Sequence, residues 1–220
     1  MTNLLFDFDG TLHNTIRIYA PAFRKAYAYL ADKGLAVFRE WPDKQISRWL
    51  GYSSKDMWNS FRPQLPDEEK NYCSQMIGLE MLAALKAGRG QLYDGAADTL
   101  RELKDEGYRL IFLSNCKIDY MQESIRQFSL DRFFTAFYCT EQYGFAPKLE
   151  IFCDITKEYD GDFIVIGDRE IDIQIAERYS LPSIGCGYGY GDSDELDKAT
   201  IRVDTPRDIL RAVNRLSSKH

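Results

Sequence analysis

At 220 residues the chain can hold one sizeable core, or one core that carries a small inserted domain. Hydrophobic residues make up 45% and charged residues 28%, and nothing in the net charge of −6 favours nucleic acid, which usually needs a clustered basic surface. No apolar run reaches the roughly 18 residues of a membrane span, and the N-terminus has neither the charged region nor the cleavage site of a secretory leader. A cytoplasmic protein without a nucleic-acid or membrane partner is expected. Cys73, Cys116, Cys139, Cys153 and Cys186 show no metal-ligand spacing and read as buried reduced thiols. His13 and His220 are the two histidines, too few for a histidine-based triad or zinc site.

Leu4-Leu5-Phe6 predicts a buried strand, and Asp7-Phe8-Asp9-Gly10-Thr11 follows it directly. If the strand continued, Asp7 and Asp9 would share a face, and Gly10 then lets the chain turn away. Two carboxylates at a strand end are costly unless a cation or a shared proton compensates them. An ordinary turn with an Asp cap would show the same residues. Ile16, Tyr19, Phe23, Tyr27 and Leu30 then recur at helical spacing, with Pro21 inside the pattern and Gly34 as its stop. Short helices are expected around 43–50 and 54–61. A long one over about 67–87 would bury Tyr72, Met76, Leu79, Leu82 and Leu85. No β pattern appears between residues 14 and 90. In this stretch Arg48, Lys55 and Arg62 read as solvated charges, and Trp41, Trp49 and Trp58 as local core.

Beyond residue 91, helices over 94–106, 117–128, 149–159, 170–179 and 206–216 alternate with strands over 109–113, 134–140, 163–166, 183–186 and 200–203. Ile118, Met121, Ile125 and Phe128 would face inward. Wholly apolar strands alternating with amphipathic helices predict an α/β fold. The expected architecture is a Rossmann-like, three-layer parallel-sheet core of residues 1–13 plus 91–220. An all-helical cap domain, residues 14–90, would be inserted after the first strand. Ligands bind beyond the carboxyl ends of such strands, and three strands deliver polar residues there: Asp7 and Asp9, Ser114 and Asn115, and Asp168. Asp168 and Asp172 are four apart, on one face of a helix's first turn. Each also has a simpler reading, as helix cap or as complement to the helix dipole. Ser114 fits a plain N-cap. The run Gly185 to Gly191 follows a strand but opens no helix, so it is not a Rossmann phosphate loop.

Asp7-x-Asp9-Gly10-Thr11 resembles the first signature of the haloacid dehalogenase superfamily, and Gly167-Asp168 with Asp172 resembles its fourth. The resemblance implies a Mg²⁺-dependent phosphatase with a helical cap, similar to phosphoglycolate phosphatase and acting on a small phosphorylated metabolite as monomer or homodimer. By that resemblance Asp7 is the nucleophile and Asp9 the general acid and base. Ser114 binds the phosphoryl group, and Asn115 beside it helps to orient Asp7 or the substrate. Asp7, Asp168 and Asp9 (through its backbone carbonyl) hold the ion, and Asp172 supports it directly or through water. The third signature departs from the family pattern: Ala146 stands where a lysine is expected, and Lys148 lies two positions later. Lys148 is the local cation for the catalytic and phosphate-binding role; a solvated lysine at a helix start is the alternative. Asp9 argues against dehalogenation. The same Asp pair also suits a phosphomutase of the β-phosphoglucomutase type, and the displaced lysine leaves open a non-catalytic binding protein on this scaffold.

Overall fold

The computed structural model describes residues 1–217 of the chain. Among these residues six strands form one parallel sheet: β1 (Thr2–Phe6), β2 (Arg109–Ser114), β3 (Ala136–Cys139), β4 (Asp162–Gly167), β5 (Ser183–Cys186) and β6 (Ile201–Val203). Their order is β3-β2-β1-β4-β5-β6. β1 is central, with Phe6 opposite Phe112 on β2 and opposite Ile166 on β4. Both faces of these strands are buried, which is why their sequence runs apolar without alternation. Leu5, Ile111, Leu113 and Val165 share one face and join Ile151, Phe152, Ile155, Ile175 and Ala176. The last five belong to α7 (Lys148–Glu158) and α8 (Glu170–Tyr179). The alternate residues Leu4, Phe6 and Phe112 point to the opposite face, where Phe134 packs edge-on against Phe6 and Phe112.

Two compact units divide the chain: Met1–Asn14 with the residues from Leu92 onward, and Thr15–Gln91. The second unit is helical, with α1 (Ile16–Asp32), α2 (Asp43–Ile46), α3 (Ser54–Phe61) and α4 (Asp67–Lys86). α1 runs through Pro21 within its second turn. Trp41, Trp49 and Trp58 each pack against Phe61, with ring centroids 5.3 to 5.8 Å apart. The expected buried face of α4 is met at Leu85, and partly at Met76 and Leu82, but not along its whole length. Cys73, Ile77, Ala84 and Leu85 are buried there, whereas Tyr72 and Leu79 are 48% and 67% exposed. Apolar residues surround this helix, so spacing alone does not choose between two stripes one residue apart. Completing the first unit are α5 (Ala96–Asp105), α6 (Ile118–Phe128) and α9 (Asp208–Ser217). Cys153 departs from the expectation of buried thiols, since it is exposed on α7. Among the described residues no helix is long and apolar enough to cross a membrane. His220 lies outside them.

Candidate active site

β1 ends at Phe6, and the Asp7 backbone N–H still donates to Ile166 O on β4 (2.9 Å). The chain then turns. Thr11, Leu12 and His13 all donate backbone N–H groups to Phe8 O. Gly10 has φ +95°, and a Cβ there would lie 2.2 Å from an Asp168 carboxylate oxygen, so no other residue fits. Asp7 is thereby fixed at the sheet's carboxyl rim with 5% exposure.

Pro147 precedes the first turn of α7, and Lys148 begins it, with its side chain directed inward and 4% exposed. Lys148 Nζ donates to Asp7 Oδ1 at 2.5 Å and to Asp172 Oδ1 at 2.8 Å. Asp172 Oδ2 accepts from the Arg169 backbone N–H at 3.2 Å. Asp168 is not the helix cap, because α8 starts two residues after it and Arg169 holds that position. Instead Asp168 Oδ1 accepts from Thr11 Oγ1 (3.2 Å) and Oδ2 from the Tyr190 backbone N–H (2.7 Å). The glycine-rich loop therefore has a definite task. A Cβ on Gly189 would lie 2.3 Å from Asp168 Cβ, so the loop backbone wraps this one carboxylate.

Oxygens of Asp7, Asp168 and Asp172 lie within 4.8 Å of one another, and all three residues are buried. Three carboxylates against one ammonium leave an excess of two negative charges, so this donor set suits a divalent cation with oxygen ligands. Burial drives the Asp7 carboxyl well above its ordinary value; Lys148 opposes that rise, while Asp172 and Asp168 add to it. Burial followed by repulsion from Asp172 pushes Asp168 up to about 7. For Lys148 burial acts downward, but Asp172 and Asp7 outweigh it and keep the ammonium charged. A carboxyl whose folded value exceeds its unfolded value stabilises the fold at low pH and loses that contribution as pH rises to the folded value. In metal-free buffer the protein should therefore lose on the order of 4 kcal/mol through Asp168 between about pH 4 and about pH 7. Urea unfolding at pH 4 and pH 8 checks this: Asp168→Asn should shrink the difference, and what remains reports Asp7, whose carboxyl is raised as well.

Asp9 does not join the three carboxylates through its side chain. Once β1 has ended, alternation no longer aligns it with Asp7. Its Oδ1 accepts from Tyr120 Oη at 2.8 Å and lies 3.2 Å from His13 Nδ1. Burial, and then the Asp9 charge, hold the Tyr120 phenol well above its ordinary value. Spacing on α6 does not reveal Tyr120, which sits beside the expected apolar stripe on a face shared with Ser124. Ser114 ends β2 and is buried, with Asn115 partly buried after it. The pairing of Phe6 with Phe112 sets Ser114 level with the Asp7–Asp9 turn. The first N–H of α6, on Ile118, is taken by Glu141 Oε2 at 2.7 Å.

Comparison with known proteins gives the same frame. A 5'-nucleotidase from Pseudomonas aeruginosa is 31% identical over 88% of this chain and 86% of its own. A phosphoglycolate phosphatase from Psychrobacter arcticus is 23% identical over 85% and 84%. The crystal structure of a predicted phosphatase from Clostridium acetobutylicum superposes with a TM-score of 0.82 at 21% identity, covering 98% of this chain and 99% of that one. Residues 4–186 match the haloacid dehalogenase-like hydrolases. With that match added to the sheet order and the buried acid–lysine knot at its rim, the chain belongs to this family of hydrolases.

Proposed function

We propose that the chain is a Mg²⁺-dependent phosphatase that hydrolyses a small phosphomonoester through an aspartyl-phosphate on Asp7. The observation that carries this reading is the buried knot in which Lys148 bridges Asp7 and Asp172 beside Asp168. Asp7, Asp168 and Asp172 would hold the ion together with the Asp9 backbone carbonyl. Bound there, Mg²⁺ supplies charge neutralisation for the phosphoryl oxygens. The relatives named as a nucleotidase and a phosphoglycolate phosphatase support a phosphate ester as substrate. In this reading the helical unit is the cap domain, inserted after β1.

The protein groups then divide the work. Lys148 holds a phosphoryl oxygen against its charge, and Ser114 and Asn115 offer hydrogen bonds to the others. The Asp7 carboxylate attacks phosphorus as the ester P–O bond breaks. Asp9 gives its proton to the departing oxygen and then takes one from the water that cleaves the aspartyl-phosphate. Asp7 is thereby restored and inorganic phosphate released. Purified protein is expected to turn over p-nitrophenyl phosphate with Mg²⁺ and to stop on addition of EDTA. A panel of phosphorylated metabolites, with product analysis on hexose 1-phosphates, then identifies the substrate and separates hydrolysis from mutase chemistry. No turnover of any ester with Mg²⁺ present overturns the proposal.

A further inference from the structure

The proposed reaction uses the Asp9 carboxyl group twice, yet that group lies outside the knot around Lys148. It belongs to a second polar cluster. Asp9 Oδ1 is 2.8 Å from Tyr120 Oη and 3.2 Å from His13 Nδ1, and those two partners are themselves 3.1 Å apart. One assignment of protons satisfies all three contacts. The imidazole donates its Nδ1–H to Tyr120 Oη and Asp9 Oδ1, while the phenol O–H donates to Asp9 Oδ1. Two donors on one carboxyl oxygen leave the acid proton to the other, Oδ2.

Packing keeps both donors in place. The His13 ring stacks on Phe8 with centroids 5.1 Å apart and planes 13° from parallel, and it lies 5.4 Å from the Phe128 ring. His13 is 0% exposed and Tyr120 7%. The Asp9 side chain keeps 16% exposure, whereas both donors are buried. Backbone geometry ties the pair further, since Asp9 and His13 face each other across an isolated bridge and Gly10 N–H donates to His13 O (3.0 Å).

We propose that Tyr120 and His13 are positioning residues for Asp9, holding Oδ1 so that Oδ2–H is aimed at the leaving oxygen. The inference rests on the phosphatase reading above. As the ester P–O bond breaks, its electron pair goes to the leaving oxygen, which takes the Oδ2 proton. The ionised Asp9 then accepts a proton from the attacking water, and the same two donors steady its charge.

A cluster that merely stabilised the fold would lower turnover of every ester alike. A cluster that orients the acid matters most for esters whose leaving group needs a proton. The test is kcat/KM for a series of aryl phosphates, from p-nitrophenyl through phenyl to p-methoxyphenyl phosphate. Tyr120→Phe should lose less than about threefold with the nitrophenyl ester and about 10- to 100-fold with the methoxyphenyl ester, mostly in kcat. His13→Leu should show the same dependence and His13→Asn, which keeps a donor near Nδ1, should recover most of it. If Tyr120→Phe does not fold, the His13 pair carries the comparison alone. An equal loss across the series, or none, overturns this inference while leaving the phosphatase reading intact. Failure of the unsubstituted enzyme on these three esters and on every phosphorylated metabolite of the panel overturns both.

Discussion

Replacing Asp7 with asparagine will lower kcat for p-nitrophenyl phosphate by about 10⁴-fold or more, the scale on which enzymes lose a nucleophile, and will leave the chain folded. The amide matches the carboxylate in shape but forms no acyl phosphate. The fold survives because Lys148 keeps its 2.8 Å bond to Asp172. Burial already disfavours the Asp7 charge, so the neutral amide removes a desolvation cost. The two outcomes are read separately, the first from initial rates and the second from far-UV circular dichroism and urea unfolding. Activity within tenfold of the native enzyme would show that another group attacks phosphorus.

Lys148→Met tests the opposite case, because it harms the fold and the chemistry together. Removing the ammonium leaves Asp7, Asp168 and Asp172 buried and facing one another within 4.8 Å. Breaking a buried pair in this way costs about 3–5 kcal/mol. Loss of the cation beside the phosphoryl group costs about 10²–10³ in kcat. The pH dependence has a definite sign. Without Lys148 the folded-state values of Asp7 and Asp168 rise further, so the folded chain binds more protons than the unfolded chain above about pH 4. The variant should therefore be closest to native stability near pH 5 and furthest from it near pH 8. Mg²⁺ at millimolar concentration should restore much of the stability, through charge compensation, but not the rate. Urea unfolding with and without Mg²⁺ at the two pH values measures this. Unchanged stability at pH 8 in EDTA would mean that the lysine is not the counter-charge the structure shows.

How much of this was legible in the sequence depended on whether local chemistry or three-dimensional packing decides each residue's place. Asp7 and Asp168 were readable because each follows a wholly apolar strand, and in a parallel sheet such residues must meet at one rim. Lys148 was readable by charge, although it falls two positions later than the family pattern. The reason it still arrives is that α7 opens at Lys148 itself, so its stem runs inward beneath the helix start. The side chain of Asp9 was a harder case. Strand alternation would have aligned it with Asp7, but the strand stops at Phe6 and the following turn aims it at His13 and Tyr120. Tyr120 was invisible because apolar period is the sequence's main signal for an inward face, and this face of α6 carries polar groups. The burial of α4 and the grip of the glycine loop on Asp168 follow from packing partners far away in the chain, which no local pattern encodes.

The sheet order carries a consequence for biosynthesis. β1 lies between β2 and β4, so the strand made earliest is the one that needs neighbours on both edges. Its first partner begins at Arg109, about 100 residues later, which at ~5–20 residues per second is roughly 5–20 s of translation. For that interval a short, apolar ribbon with two open edges leaves the ribosome unsheltered. Slow elongation through the helical segment would lengthen the exposure, and factors that shield nascent chains would have their greatest effect on yield before β4 emerges.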